Sequence, residues 1–272
     1  MERIQAAILK AKQKREISAL GSQEASSQSR SKESTDVWQS LSKFNIDLER
    51  MDAKRIVTFS QSDPSHFNFD LMRSKLLRVL RENNWTTVGF TSAAQRSGKS
   101  MICLNLAFSL AHQQASRTVV CDLDLRQPQI SDVLGVRGER SIDSFLKGHS
   151  SIEEVFKCYG SGLAVGFCNQ AAEDPAELLQ SESAEAAMKS IRNKLNPDVI
   201  LVDLPPLLVA DDVMSFIKNL DGVFLVAAAE ETTLEAMETC VGELAEHTNV
   251  LGVILNKCRY ISSESGPYLG YY

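Results

Sequence analysis

Residues 93–100 read Ala-Ala-Gln-Arg-Ser-Gly-Lys-Ser. An apolar run over 86–90 precedes them, and an amphipathic run over 101–112 follows. A strand, then a short loop ending in Gly-Lys-Ser, then a helix, is the arrangement that cradles phosphate. The helix start offers unpaired N–H groups and the positive end of its dipole. In this reading Ala94, Gln95, Arg96, Ser97, Gly98, Lys99, Ser100 and Met101 surround the phosphates of a nucleotide. Lys99 reaches the β- and γ-phosphates, and the Ser100 hydroxyl ligates Mg2+. The usual first glycine of such a loop is here Ala93, and no glycine precedes Gly98 inside it. A Gly-Lys-Ser tripeptide also occurs in ordinary surface turns; the flanking strand and helix favour the phosphate reading.

Three carboxylates follow apolar strand signals: Asp122 and Asp124 after Val119-Val120-Cys121, and Asp203 after Val199 to Val202. Single acids there are often turn formers or helix caps. Three of them beside a phosphate loop place negative charge where Mg2+ is needed, because that ion prefers oxygen ligands. Asp122 and Asp203, with Ser100, are the expected metal ligands. Lys99, Asp122 and Asp124 are the expected catalytic residues, one carboxylate of the pair orienting or deprotonating an attacking hydroxyl or water. Arg126 either stabilises transferred charge or pairs with an acidic neighbour.

These residues need a scaffold that sets strand ends side by side. From Thr86 onward, apolar strand signals alternate with helical spacing. The strands are expected at 88–90, 118–121, 163–167, 199–202, 222–227 and 250–255, with helices at 184–195 and 234–247 among the intervening segments. That alternation predicts an α/β fold of the P-loop NTPase type, a mainly parallel sheet with helices on both faces. Such sheets bind ligands at the carboxyl ends of their strands. A further helix is expected over 67–83, with Leu71, Leu76, Leu77 and Leu80 facing the core.

The N-terminal part differs. Residues 1–16 have helical spacing, with Arg3, Lys10, Lys14 and Arg15 opposite an apolar face, and 21–35 have the composition of a linker. A tethered basic helix touches acidic lipid headgroups or a partner; the alternative is a solvated terminus. The expected organisation is a helical and flexible extension over 1–65, a nucleotide-binding domain over 66–258 and a flexible tail over 259–272.

Composition agrees with a water-soluble chain. Of 272 residues 43% are apolar and 24% charged, and the apolar runs are too short to span a bilayer. The net charge of −6 gives no reason to expect nucleic acid as a partner. Six cysteines lie scattered without a C-x-x-C pair, which predicts reduced, buried thiols and a cytoplasmic setting.

In order, these motifs resemble the bacterial tyrosine kinases of capsule and exopolysaccharide biosynthesis. Residues 91–100 are similar to the family's Walker A motif, Val120 to Pro128 to its Walker A′, and Val199 to Pro206 to its Walker B. Asp174-Pro175-Ala176-Glu177-Leu178-Leu179 and Gly252 to Asn256 resemble further family segments. The likeness implies ATP and Mg2+ as ligands and tyrosine hydroxyls as acceptors. It implies autophosphorylation between subunits of a homo-oligomeric ring, with Tyr268, Tyr271 and Tyr272 as phosphoacceptors. It also implies a membrane polysaccharide co-polymerase, a chain-length regulator, whose cytosolic tail activates the kinase at the inner face of the membrane. Arg78 and Arg81 match the family's interface helix, whereas Lys75 stands where the family has an acid. Two other readings remain: a nucleotide-binding regulator of the export machinery without kinase activity, and a partitioning-type ATPase switch. The switch ATPases carry a signature lysine where this chain has Ala94.

Overall fold

A computed structural model describes residues 37–60, 63–112 and 116–258. The helix expected over 1–16, the linker over 21–35 and the tyrosines Tyr268, Tyr271 and Tyr272 lie outside the described residues.

The strands are β1 (Ser42–Lys43), β2 (Thr87–Ser92), β3 (Thr118–Asp122), β4 (Phe156–Tyr159), β5 (Leu163–Gly166), β6 (Val199–Asp203), β7 (Gly222–Ala228) and β8 (Val250–Asn256). They form one sheet in the order β1-β4-β5-β3-β6-β2-β7-β8. All neighbours pair in parallel except β4 with β5. Near-continuous apolar sequences such as Val199-Ile200-Leu201-Val202 suit strands covered on both faces. The hydrophobic core accordingly divides into two clusters, one on each face of the sheet.

The helices that matter for the site are, in chain order, α1 (Leu48–Ala53), α2 (Val57–Ser60), α3 (His66–Asn83), α4 (Lys99–Ala111), α5 (Ile130–Leu134), α6 (Ile142–Leu146), α7 (Ile152–Val155), α8 (Pro175–Gln180), α9 (Glu182–Leu195), α10 (Asp212–Phe216) and α11 (Leu234–His247). α4 is buried on nearly every side, from Ile102 to Leu110. Its Ile102, Leu106 and Phe108 pack in one core cluster with Leu76 and Leu80 of α3. On the other face, Met188 and Ile191 of α9 pack with Cys240 and Leu244 of α11.

The strand and helix expectations from 118 onward agree with these elements, but the sequence boundary at residue 65 does not. From residue 37 the chain is part of the packed body. Trp38, Leu41, Phe44, Met51 and Ile56 are all buried. This stretch wraps the molecule as a strap. The Trp38 indole donates to the Leu195 carbonyl at 2.7 Å, with the Arg117 guanidinium over its ring. β1 then adds an edge strand beside β4. Farther on, Thr58 is buried against α4, its hydroxyl donating to the Asn105 carbonyl at 2.8 Å. Short elements of mixed polarity, tied down by contacts distant in sequence, carry no periodic signal. For the same reason the antiparallel β4 escaped the sequence reading.

Two further expectations change. Leu71 is 56% exposed, because α3 buries the face that carries Leu76 and Leu80. Of the six cysteines, five are buried and Cys258 is exposed.

Candidate functional site

β2 runs into the phosphate loop, and α4 begins at Lys99. Gly98 precedes the helix with φ 90°, in the left-handed region. A side chain there would be strained, and its Cβ would collide with Asn256 Nδ2. That asparagine, at the end of β8, donates to the Ser97 carbonyl at 2.9 Å. The Ala94 carbonyl accepts from both Ser92 Oγ (2.7 Å) and Ser97 Oγ (2.9 Å). Hydroxyls and an amide thus hold a loop that lacks the usual inner glycines. Ala93 is buried, whereas Ala94, Gln95 and Arg96 are exposed at the tip. Met101, half-buried, is the third residue of α4.

The three carboxylates meet beside this loop. β3 and β6 are in-register neighbours, so Asp122 pairs with Asp203 across the ladder. Both are fully buried. Asp122 Oδ2 accepts from the Ile130 N–H at 3.2 Å, while Asp122 Oδ1 and both oxygens of Asp203 lack a hydrogen bond of good geometry. Lys99 Nζ lies 2.6 Å from Asp124 Oδ2, both side chains being buried. Asp124 Oδ1 accepts from the Gln127 N–H at 3.1 Å.

The charges perturb one another. Burial raises Asp203 from 3.8 to about 6, although Lys99 and the nearby Ser100 hydroxyl pull it down. Burial also raises Asp122, and Asp203 and Asp124 add to the rise. Burial works against the Lys99 ammonium, but Asp203 and Asp124 outweigh it and hold its pKa above the ordinary lysine value. Buried carboxylate oxygens without protein donors are costly unless a cation completes them. Asp122, Asp203 and the Ser100 hydroxyl are hard oxygen donors, the set that fits Mg2+.

Arg126 is bidentate to the fully buried Asp212 at the start of α10, with contacts of 2.7 and 3.0 Å. That pair joins the loop after β3 to the one after β6. Between its two open alternatives, the structure gives Arg126 an acidic neighbour.

Sequence reasoning did not name a groove that opens beside Gly98, with a volume of roughly 1370 Å³. Arg55, Val57, Phe69, Met101, Asn256 and Lys257 help line it. It is large enough for a nucleoside, whose pockets are commonly several hundred Å³. Asn256-Lys257 had a readable signal, two polar residues directly after an apolar strand, like that of Asp203. Arg55 and Val57 had none, because they belong to the strap.

The family model that matches describes "ParA: NUBPL iron-transfer P-loop NTPase" and covers residues 87–269. The tyrosine-protein kinase Wzc of Salmonella typhi is 25% identical over 190 residues, covering 68% of this chain and 26% of its own. The chain therefore spans about a quarter of the length of that relative. The kinase domain of VpsO shares 28% identity at a TM-score of 0.62, over 71% of this chain and 96% of that one. The kinase domain of the Escherichia coli tyrosine kinase ETK aligns over 85% of this chain and 87% of its own, at a TM-score of 0.67 and 23% identity, a likeness of fold.

Proposed function

The chain belongs to the ParA-type family of P-loop NTPases, and we propose that it is an ATP-dependent protein-tyrosine autokinase regulating exopolysaccharide or capsule polymerisation and export. One observation carries the chemistry: Asp122 and Asp203, buried side by side with unsatisfied oxygens, stand next to the Lys99–Asp124 pair at the phosphate loop. The similarity to Wzc and the VpsO kinase domain supports tyrosine as the acceptor.

In this reading the loop N–H groups and the start of α4 bind the β- and γ-phosphates. Asp122, Asp203 and Ser100 would hold Mg2+, which when bound supplies charge neutralisation at the phosphates. Lys99 turns from Asp124 to the phosphate oxygens. Asp124, so released, accepts the phenolic proton as the tyrosine oxygen bonds to the γ-phosphorus and the bond to ADP breaks. Alignment and fixed charge account for most of the rate in such transfers, so no large pKa shift is needed at the base. The groove beside Gly98 receives the nucleoside. Tyr268, Tyr271 and Tyr272 are the acceptors, presented to a neighbouring subunit of a homo-oligomer, and a membrane chain-length regulator is the activating partner. Among the described residues no helix is long and apolar enough to cross a membrane.

The test is incubation with Mg-ATP and the partner's cytosolic tail, followed by phosphopeptide mapping. Phosphotyrosine that disappears in Lys99→Met and Asp122→Asn supports the proposal. Tight ATP binding without phosphotyrosine would favour the non-catalytic regulator instead.

A further inference from the structure

Arg96 occupies the tip of the phosphate loop with φ 59°, a left-handed backbone that glycine adopts freely and a residue with a β-carbon only at a cost. Strained positions of this kind concentrate at functional sites and point from the outlier to a role. Arg96 has no part in holding the loop together. Ser97 is pinned by Asn256 and by the Ala94 carbonyl, and Ala94 by Ser92, all through groups other than the Arg96 side chain.

Three neighbouring cations are already committed. Lys99 lies on Asp124 at 2.6 Å, Arg126 on Asp212 at 2.7 Å, and Lys257 on Glu231 at 3.0 Å. Among the described residues Arg96 makes no ion pair, and its side chain is exposed. One uncommitted guanidinium thus stands on the loop that wraps the phosphates. The carboxylates Asp122, Asp124 and Asp203 lie beneath that loop with Lys99, among the described residues, as the one buried cation near them. A triphosphate brings one more negative charge than a diphosphate. A planar guanidinium matches two phosphate oxygens at once, which a lysine cannot do.

We infer that the Arg96 guanidinium binds the terminal phosphate of a nucleoside triphosphate and gives this loop a preference for triphosphate over diphosphate. The inference rests on the nucleotide-binding reading of the site but not on the kinase activity. Glycine at this position would keep the backbone and remove the charge.

The experiment is calorimetric titration of the full chain with ATP and with ADP, each with Mg2+, for wild type, Arg96→Gly and Arg96→Lys. Arg96→Gly is expected to weaken ATP about tenfold, the usual scale for one charge-assisted contact, and to leave ADP within about twofold. Its melting temperature should not fall, since glycine suits the left-handed backbone. Arg96→Lys should recover part of the ATP affinity. Raising ionic strength should narrow the ATP-to-ADP ratio in wild type and not in Arg96→Gly. An unmoved ratio in Arg96→Gly, or an equal loss for both nucleotides, overturns the inference while leaving nucleotide binding intact. A wild-type chain that binds neither nucleotide overturns the reading of the site and the inference with it.

Discussion

Asp122 and Asp203 face each other across neighbouring parallel strands, both fully buried, with three of their four carboxylate oxygens lacking a hydrogen bond of good geometry. Asp203 ionises near 6 instead of 3.8 because burial disfavours its charge. A raised acid pKa means that the folded state holds its proton longer than the unfolded state. The stability this provides is present below 3.8 and lost as the pH rises through about 6. Asp203→Asn should therefore match wild type in acid and exceed it at neutral pH, by on the order of 3 kcal/mol for a shift of this size. Urea melts at the two pH values, without Mg2+, measure the difference. Mg2+ should erase it by stabilising wild type alone. A variant no more stable than wild type at neutral pH would show that burial does not disfavour the Asp203 charge.

Lys99 and Asp124 form a buried ion pair. Removing one partner strands the other charge. Lys99→Met should cost about 3–5 kcal/mol of stability, beyond its effect on nucleotide binding. Adding Asp124→Asn should return most of that loss. If the double variant is as unstable as the single, the pair is not what holds Lys99 in place.

Gly98→Ala meets two obstacles, a left-handed φ and a collision with Asn256 Nδ2. ATP binding should be lost. Adding Asn256→Ala removes the collision and leaves the backbone strain, so rescue should be partial at most. Full recovery of affinity would mean that the backbone at 98 tolerates a side chain.

The strap makes a prediction that the sequence boundary at 65 would not. A chain starting at residue 66 loses Trp38, Phe44, Met51 and Ile56 from the core. It should melt far below the full chain, since each large buried side chain removed costs about 2–5 kcal/mol. A chain starting at residue 37 keeps these side chains and should melt well above it. Equal melting of both truncations would mean that the strap adds nothing to the body.

The contrast between Asp203 and Trp38 shows what was legible. Asp203 ends an apolar strand, and its neighbours 199–202 announce both the strand and the strand end, where ligands of parallel sheets gather. The same logic identified Asp122, Asp124 and the loop before Lys99. Trp38 announces nothing, because its burial depends on a carbonyl at Leu195, far along the chain. Arg126 shows the middle case. Its position suggested two roles, and only the fold brings Asp212 to it. Local periodicity and strand ends are written in the sequence, whereas partners set by tertiary packing are not.

The central claim is tested most directly by mapping phosphotyrosine after incubation of the full chain with Mg-ATP and the partner's cytosolic tail, wild type beside Lys99→Met. The account predicts labelled tyrosine among Tyr268, Tyr271 and Tyr272 in wild type and none in Lys99→Met. A wild-type chain that binds ATP yet carries no phosphotyrosine under these conditions would contradict it.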